Sequence, residues 1–260
     1  MTYQDQLTRI VRQVELKQPA ITVRNQAIRE ALLQLGSYID GENFTKIHPH
    51  VLAKAFDLYD ETVFDGCCRA LLREAKAPID FRFSRRMTRT GGMTIRYEPG
   101  AGSGVQTRYE IKLSSTLLFQ SFRDGRDLIV SGCRCKNRLD AMLRIVEHEM
   151  IHLIEMLLWR DSSCARRRFQ GIAFRLFEHT ESTHQLLTPV EIARDHYGIR
   201  AGDAVSFAFQ GRHFTGTVNR ITRRATVLVP DSAGERYSDG QRYRKFYVPL
   251  AALRKAGTQS

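Results

Sequence analysis

The sequence predicts an α+β protein in which a mostly helical part with a short sheet precedes a small all-β part. Apolar residues recur at helical spacing in several long segments between residues 3 and 179, and three segments between 81 and 113 alternate like strands. From Gly202 onward, short alternating segments are separated by turns rich in Gly, Asp, Asn and Ser. Four or five such strands within about 55 residues are typical of a small closed barrel.

The helices and strands of the first part follow a definite order. Residues 3–40 look helical in two pieces separated at Pro19, and Pro49 suits the first turn of a helix that runs to about Ala75 with an interruption at Gly66. Strands are predicted at 81–84, 93–97, 109–113 and 128–130, with a Gly-rich turn at 99–104 and a short helix at 114–122. A further helix is predicted from Cys164 to about His179.

The second part begins where the composition changes, near 197–200. Its strands are predicted at 204–209, 214–218, 225–229 and 246–250. A chain of 260 residues can hold two modest domains, each with its own core. We therefore divide the sequence into a helical N-terminal segment 1–48, a central domain 49–198 and a barrel 199–260.

The most apolar helix carries the pattern H-E-x-x-H. Asn137 suits its N-cap, and from Leu139 to Trp159 nearly every face is apolar, so the helix is predicted to be buried on most sides. Residues four apart lie one above the other, so His148 and His152 can present imidazole nitrogens to one ion. Glu149 can orient or deprotonate a water held there, as a hydrolytic zinc site requires. The alternative is a helix with two partly buried histidines and a solvated glutamate and no metal. In that case the histidines would have no partners to offset the free energy lost when they are removed from water.

The charge, the cysteines and the N-terminus indicate which binding partners and which cellular compartment to expect. The net charge of +12 implies attraction to polyanions, and from Gly198 onward eleven Lys/Arg residues face four Asp/Glu. The five cysteines are odd in number, which argues against a disulfide framework and for a reducing cytoplasm. The polar N-terminus does not resemble a signal peptide, and no apolar run approaches a membrane span. We expect a cytoplasmic protein without a membrane partner.

Five motifs occur in order between Pro49 and His184. They are L-Y-D-E-T-V-F at 58–64, F-S-R-R-M at 83–87, G-G at 91–92, Y-E-I-K-L-S at 109–114 and E-H-E-M-I-H at 147–152. This set resembles the SprT-like zinc metalloproteases, which implies a small zincin-like domain with helices packed on a short sheet. The segments 202–207 and 216–221 make the C-terminal part similar to a KOW or SH3-like barrel.

The resemblance implies that His148 and His152 are zinc ligands and that Glu149 is the general base. The family's third histidine precedes G-x-x-F, but this sequence has Gln170 there, a poor zinc ligand. Two candidates remain for the third ligand. Cys164, at the predicted helix N-terminus where the dipole favours a thiolate, ranks ahead of His179 at the other end. Glu155 is too far along the helix from the first histidine to be a ligand and suits either a role supporting a ligand or a place on the helix surface. His184 suits a loop or packing role.

These observations predict a zinc-dependent metallopeptidase that acts on protein substrates near nucleic acid, with Zn²⁺ as its cofactor. Strand 109–113 is the predicted edge for an extended substrate. The competing class is a nucleic-acid-binding protein whose zinc centre is structural or inactive. In either case the basic barrel is predicted to bind DNA or RNA through Arg220, Arg223, Arg224, Arg242, Arg244 and Lys245.

Overall fold

The computed structural model describes residues 1–98, 106–122, 127–183 and 186–256, in a mixed α+β fold as predicted. The chain divides into two units, Met1–Leu186 and Leu187–Ser260. This division precedes the expected boundary near 198, because a helix at Pro189–Tyr197 that was not predicted belongs to the second unit and contributes Ala193 to its core. The segment 1–48 is not separate either, since Leu7, Ile28 and Phe44 join the core of the first unit.

The first unit contains seven helices among its described residues. They are α1 (Tyr3–Gln13), α2 (Gln18–Leu33), α3 (Pro49–Val63), α4 (Cys67–Glu74), α5 (Ser115–Gln120), α6 (Arg138–Trp159) and α7 (Arg167–Phe177). Pro19 lies in the first turn of α2 rather than between helices, because the missing N–H group costs no hydrogen bond there. Gly66 separates α3 from α4 with a φ of 73°, in the left-handed region that glycine tolerates best.

The sheet of the first unit has three strands, β1 (Ile79–Ser84), β2 (Gly92–Tyr97) and β3 (Arg108–Ser114), in the order β1-β3-β2. Strand β3 pairs in parallel with β1 and antiparallel with β2. The prediction that residues 109–113 form a free edge is therefore wrong, because both sides of β3 are already hydrogen-bonded. A small hairpin, β4 (Leu128–Val130) and β5 (Cys133–Cys135), follows, and the turn predicted at 99–104 lies outside the described residues.

Helix α6 is the central element of this unit. Asn137 caps it by accepting a hydrogen bond from the Asp140 N–H at 2.8 Å, as its sequence predicts. Its apolar residues are buried among α3, α5 and the sheet, with Ile145, Val146 and Met150 fully inaccessible. None of the described helices combines the length and apolarity needed to span a membrane. All five cysteines are free thiols.

The second unit consists of α8 (Pro189–Tyr197) and a five-stranded antiparallel sheet. Its strands are β6 (Ala204–Phe209), β7 (Arg212–Ile221), β8 (Ala225–Arg236), β9 (Arg242–Val248) and β10 (Arg254–Lys255), in the order β10-β6-β7-β8-β9. The inward-facing residues Val205, Val218 and Val227 form its core with Phe246. The unit thus buries an apolar cluster of its own, while alternate residues of the strands face solvent.

Candidate metal centre

Three potential metal ligands converge at the C-terminal half of α6. The Nε2 atoms of His148 and His152 lie 3.2 Å apart, and with the Cys164 thiol they form a group whose ligand atoms all lie within 4.8 Å of one another. His148 is buried, and the other two residues are half-buried. This group could hold a metal ion. The structure therefore brings together both histidines of the H-E-x-x-H pattern and the first of the two candidates for the third ligand.

Cys164 reaches this group from a turn rather than from a helix. Helix α7 begins at Arg167 and ends at Phe177, so the predicted helix from Cys164 to about His179 was too long at both ends. The expected effect of a helix dipole on the Cys164 thiol is correspondingly lost. Gln170 lies near this turn without being a ligand: its Nε2 group donates to the carbonyl oxygens of Cys164 and Ala165 at 3.3 and 3.4 Å.

A chain of hydrogen bonds determines which nitrogen of His152 carries the proton. Ser162 donates its only hydroxyl proton to Glu155 Oε2 at 2.6 Å, so its oxygen accepts from the Nδ1–H of His152 at 2.7 Å. The lone pair then lies on Nε2, which faces His148. Arg168 completes the chain by donating to Glu155 Oε1 at 2.5 Å. Glu155 therefore supports a candidate ligand from behind, which is one of the two roles expected for it.

The donor types of this group, two imidazoles and a thiol, are ones that zinc accepts. Bond lengths of about 2.0–2.1 Å to nitrogen and 2.3 Å to sulfur place tetrahedral ligand atoms roughly 3.4–3.6 Å apart, close to the observed 3.2 Å between the two nitrogens. Burial lowers the pKa of His152 to about 4, against an opposing influence from Glu155. The imidazole is therefore neutral at physiological pH, as a metal ligand must be. Two imidazoles and one thiol leave one position of a tetrahedron for another group.

Glu149 faces strand β2 beside this group. The Thr94 hydroxyl lies 2.8 Å from Glu149 Oε2 and 2.9 Å from the Glu149 carbonyl oxygen. Gly92 lies against the same carboxyl group, and a Cβ atom at Gly92 would stand 2.5 Å from Glu149 Oε1, so glycine is required there. Burial raises the pKa of Glu149 to about 8, although the hydrogen bonds from Thr94 oppose the shift. A neighbouring cation would favour the ionised carboxylate that a general base requires.

His179, the alternative third ligand, lies in a different cluster. Its Nε2–H group donates to Glu147 Oε2 at 2.8 Å, and Tyr59 donates its hydroxyl proton to Glu147 Oε1 at 2.8 Å. Arg144 lies 3.0 Å from the same carboxylate and Arg24 lies 3.6 Å from it. Because Glu147 is turned about 100° around α6 from His148, a residue bound to it is directed away from the candidate ligands. His179, ranked behind Cys164 from the sequence, therefore lies outside the group of candidate ligands.

The Glu147 cluster holds an ionised carboxylate in a fully buried position. Burial by itself would raise the pKa of Glu147, but Arg144, His179 and Arg24 together lower it to about 2. Glu147 in turn raises the pKa of Arg144. These contacts join α2, α3, α6 and the segment after α7 at one side chain, next to a candidate ligand.

Several contributors to the site were not predicted as such. Ser162 and Thr94 support His152 and Glu149, and the Phe169 ring packs against both histidine rings, with centroids 4.7 Å from His148 and 4.6 Å from His152. Gly92, the first residue of β2, was an available signal, because a glycine in a strand indicates that another group closely approaches the backbone. Nothing in the sequence pairs Thr94 with Glu149, since 55 residues separate them.

The residues predicted to bind nucleic acid all lie in the second unit, and they differ in their contacts with other residues of the protein. Arg244 pairs with Asp231 at 2.9 Å and Lys245 with Glu235 at 2.5 Å, and Arg242 donates to the Gly234 carbonyl oxygen at 2.9 Å. Arg220, Arg223 and Arg224 are exposed and form neither an ion pair nor a side-chain hydrogen bond with any residue in the described part of the chain. These three are therefore the predicted residues most available to an anionic partner.

Comparison of the chain with protein-family models, curated proteins and solved structures returned no match. His184, which was considered as a loop histidine, lies outside the described residues.

Proposed function

We propose that the protein is a zinc-dependent metallopeptidase of the SprT-like kind. The observation that carries the proposal is the group formed by His148, His152 and Cys164, with the buried carboxyl group of Glu149 beside it. Two imidazoles and a thiol leave one tetrahedral position for a substrate or water, and this distinguishes a catalytic zinc site from a closed structural one. A buried carboxyl group whose pKa is raised, next to potential metal ligands, is also typical of hydrolytic sites.

The positions of the family-like motifs support a zincin-like arrangement. Gly92 and Thr94 of β2 contact Glu149, while the motif at 58–64 supplies Tyr59 to the carboxylate of Glu147 in the H-E-x-x-H helix. Motifs that are far apart in the sequence thus meet at the helix with the candidate ligands. The departure from the family pattern is the third ligand, which we assign to Cys164.

The chemistry divides between the ion and the protein. A zinc ion held at this position supplies Lewis-acid polarisation of a carbonyl group and lowers the pKa of a coordinated water. Glu149 accepts the proton of the attacking water at a carboxylate oxygen and passes it to the departing amine. Thr94 orients that carboxylate from β2, and Ser162 keeps the proton of His152 on Nδ1. Glu155 and Arg168 hold Ser162 in place.

An extended substrate would pair with β2 instead of β3. Strand β2 lies at one end of the three-stranded order and pairs with β3 on one side only, within the described residues. It also supplies Gly92 and Thr94 to the base, so a peptide added along its free side would pass close to Glu149.

Removal of the metal should abolish cleavage. We expect wild-type protein to cleave a loosely folded protein substrate, with or without DNA, and to lose at least ~99% of that activity after treatment with a zinc chelator, because the remaining residues cannot activate water alone. Stoichiometric Zn²⁺ should restore activity. Full cleavage in the stripped protein, verified by metal analysis, would contradict the proposal.

A second function, nucleic-acid binding by the second unit, is favoured by one surface. Arg220 pairs with Thr226 across β7 and β8, and Thr226 pairs with Tyr247 across β8 and β9, so the three side chains lie in one row on the same face. Tyr247 is 65% exposed. An exposed aromatic ring on the same face as an arginine without an ion pair, two strands away, suits base stacking combined with phosphate contact, as on the SH3-like and KOW-type barrels that this unit resembles.

Charge reversal at the turn between β7 and β8 tests this surface. We expect Arg223→Glu with Arg224→Glu to weaken binding of single-stranded DNA or RNA by at least ~10-fold at low salt, with little dependence on sequence, because phosphate contacts release counterions. A matched control, Lys46→Glu with Arg86→Glu, changes the net charge equally on exposed residues of the first unit. Binding is measured by fluorescence anisotropy. If both variants lose affinity equally, the loss is due to the change in net charge and not to this surface.

A further inference from the structure

We propose that the first unit contains a phosphate-binding site, separate from the candidate metal centre and from the second unit. The site is a cavity of about 280 Å³ lined by residues from α1, from the end of α6 and from one face of α7. Four of its lining residues are arginines: Arg12, Arg167, Arg168 and Arg175. Trp159 forms another wall, with the Arg168 guanidinium 4.2 Å from its ring centroid. The proposal does not depend on peptidase activity.

Three of the four arginines at this cavity, Arg12, Arg167 and Arg175, form no ion pair with a carboxylate in the described part of the chain. Glu155 is paired with Arg168, and Glu15 is exposed and paired with Lys17 at 2.7 Å. Guanidinium groups that share one cavity repel each other unless an anion lies between them, so the arrangement is most favourable with a ligand bound.

Arg175 has bonding capacity left inside the cavity wall. Its Nη2 group donates to the Val11 carbonyl oxygen at 2.5 Å near the end of α1, which fixes the guanidinium plane. Its Nε atom is buried without a hydrogen-bond partner in the described residues. A buried donor without a partner is unfavourable, and a local shift of the Arg175 side chain toward an anion bound in the cavity would satisfy it.

The N-terminus of α7 adds to the positive potential. Arg166 at the N-cap provides no side-chain hydrogen bond to the first N–H groups of the helix, and arginine follows it at the next two positions. Arginines in a first helical turn oppose the helix dipole and are unfavourable without an anionic partner. Helix N–H groups and planar guanidinium groups together are the donors that proteins use for phosphate oxygens.

The cavity therefore fits a phosphate group, which has several acceptor oxygens and at least one negative charge. Its source is either a free phosphate compound or the backbone of a nucleic acid. The site also lies near the candidate metal centre, because Arg168 at its wall is joined through Glu155 and Ser162 to His152. If the source is a nucleic acid, the first unit makes phosphate contacts of its own.

The test compares Arg12→Glu/Arg167→Glu with the charge-matched control Lys46→Glu/Arg86→Glu in the full chain. Both reversed arginines are exposed, so the variant should fold, and Arg12→Gln/Arg167→Gln repeats the test without charge reversal. Binding of inorganic phosphate, ATP and a ten-nucleotide single strand is measured by calorimetry. The strand is also measured in the Arg223→Glu/Arg224→Glu background. His148→Ala is included so that failure of the metal site is seen separately.

We expect saturable phosphate binding to wild type and to His148→Ala, and at least ~10-fold weaker binding to both Arg12/Arg167 variants. The control should bind like wild type. Parallel weakening of the oligonucleotide would identify the nucleic-acid backbone as the source, and an effect confined to phosphate and ATP would identify a free phosphate compound. Absence of saturable phosphate binding to wild type, or equal losses in the pocket variants and the control, would overturn the proposal.

Discussion

Replacing Glu149 with glutamine is expected to lower peptidase activity by at least ~100-fold while the metal content stays at the wild-type level. General-base catalysis contributes roughly 10²–10⁴-fold, and glutamine cannot accept the proton. The amide keeps the size of the carboxyl group and can still accept the hydrogen bond from Thr94, so the geometry beside Gly92 is preserved. Activity and metal content should therefore separate in this variant.

A stability measurement distinguishes this catalytic role from a structural one. The folded-state pKa of Glu149 is raised from 4.5 to about 8 by burial, so without metal its ionisation opposes folding. The contribution of the protonated Glu149 side chain to the free energy of unfolding is fully present below pH 4.5 and is lost as the pH rises through 8. Metal-free Glu149→Gln should then be more stable than metal-free wild type by on the order of 3 kcal/mol at pH 7.

The control for both measurements is Glu61→Gln, at an exposed glutamate of α3. It should leave activity, metal content and stability unchanged. Wild-type cleavage by Glu149→Gln would exclude Glu149 as the base. A large loss of stability in that variant would instead assign a structural role.

Replacing Glu147 with glutamine should destabilise the first unit by about 3–5 kcal/mol, the range observed when one partner of a buried ion pair is removed. Its carboxylate is fully buried, and the change leaves the Arg144 and Arg24 charges without an ionised partner. For a unit of this size the melting temperature should fall by roughly 10 °C. Calorimetry, with Glu61→Gln as the control, measures this.

The pH dependence of this contribution has the opposite sign from that of Glu149. The folded-state pKa of Glu147 is lowered from 4.5 to about 2, so its stabilising effect is present above pH 4.5 and disappears as the pH falls through 2. The difference in melting temperature between wild type and Glu147→Gln should therefore shrink in acid. A difference that is small at pH 7 would show that the surrounding side chains reorganise around the amide.

Local patterns in the sequence were sufficient for most of the elements. The period of apolar residues and the Asn137 cap predicted α6 closely, because these signals depend on neighbours within four residues. The order of the sheet could not be predicted in this way. Whether β3 is central or at an edge depends on pairing between β1 and β3, which lie far apart in the chain.

The members of the site that lie on one helix could be predicted from their spacing. The members that other segments bring to it could not. The i,i+4 relation placed His148 and His152 together, but Cys164 and His179 were both compatible with the spacing. The choice depends on where α7 begins and on what Glu147 binds, and both are tertiary features. The ion pairs of Arg244 and Lys245 with carboxylates could not be predicted either, because they also depend on the tertiary structure.

The metal-to-protein ratio of purified protein tests the central claim most directly. We expect about one zinc per chain in wild type and in His179→Ala, and less than ~0.1 in His148→Ala, because a site with two remaining ligands binds zinc poorly. Cys164→Ser should also lose most of the metal, whereas Cys133→Ser, a matched change at another half-buried thiol, should retain it. Full zinc occupancy in His148→Ala, or wild-type protein that takes up no metal, would contradict the account.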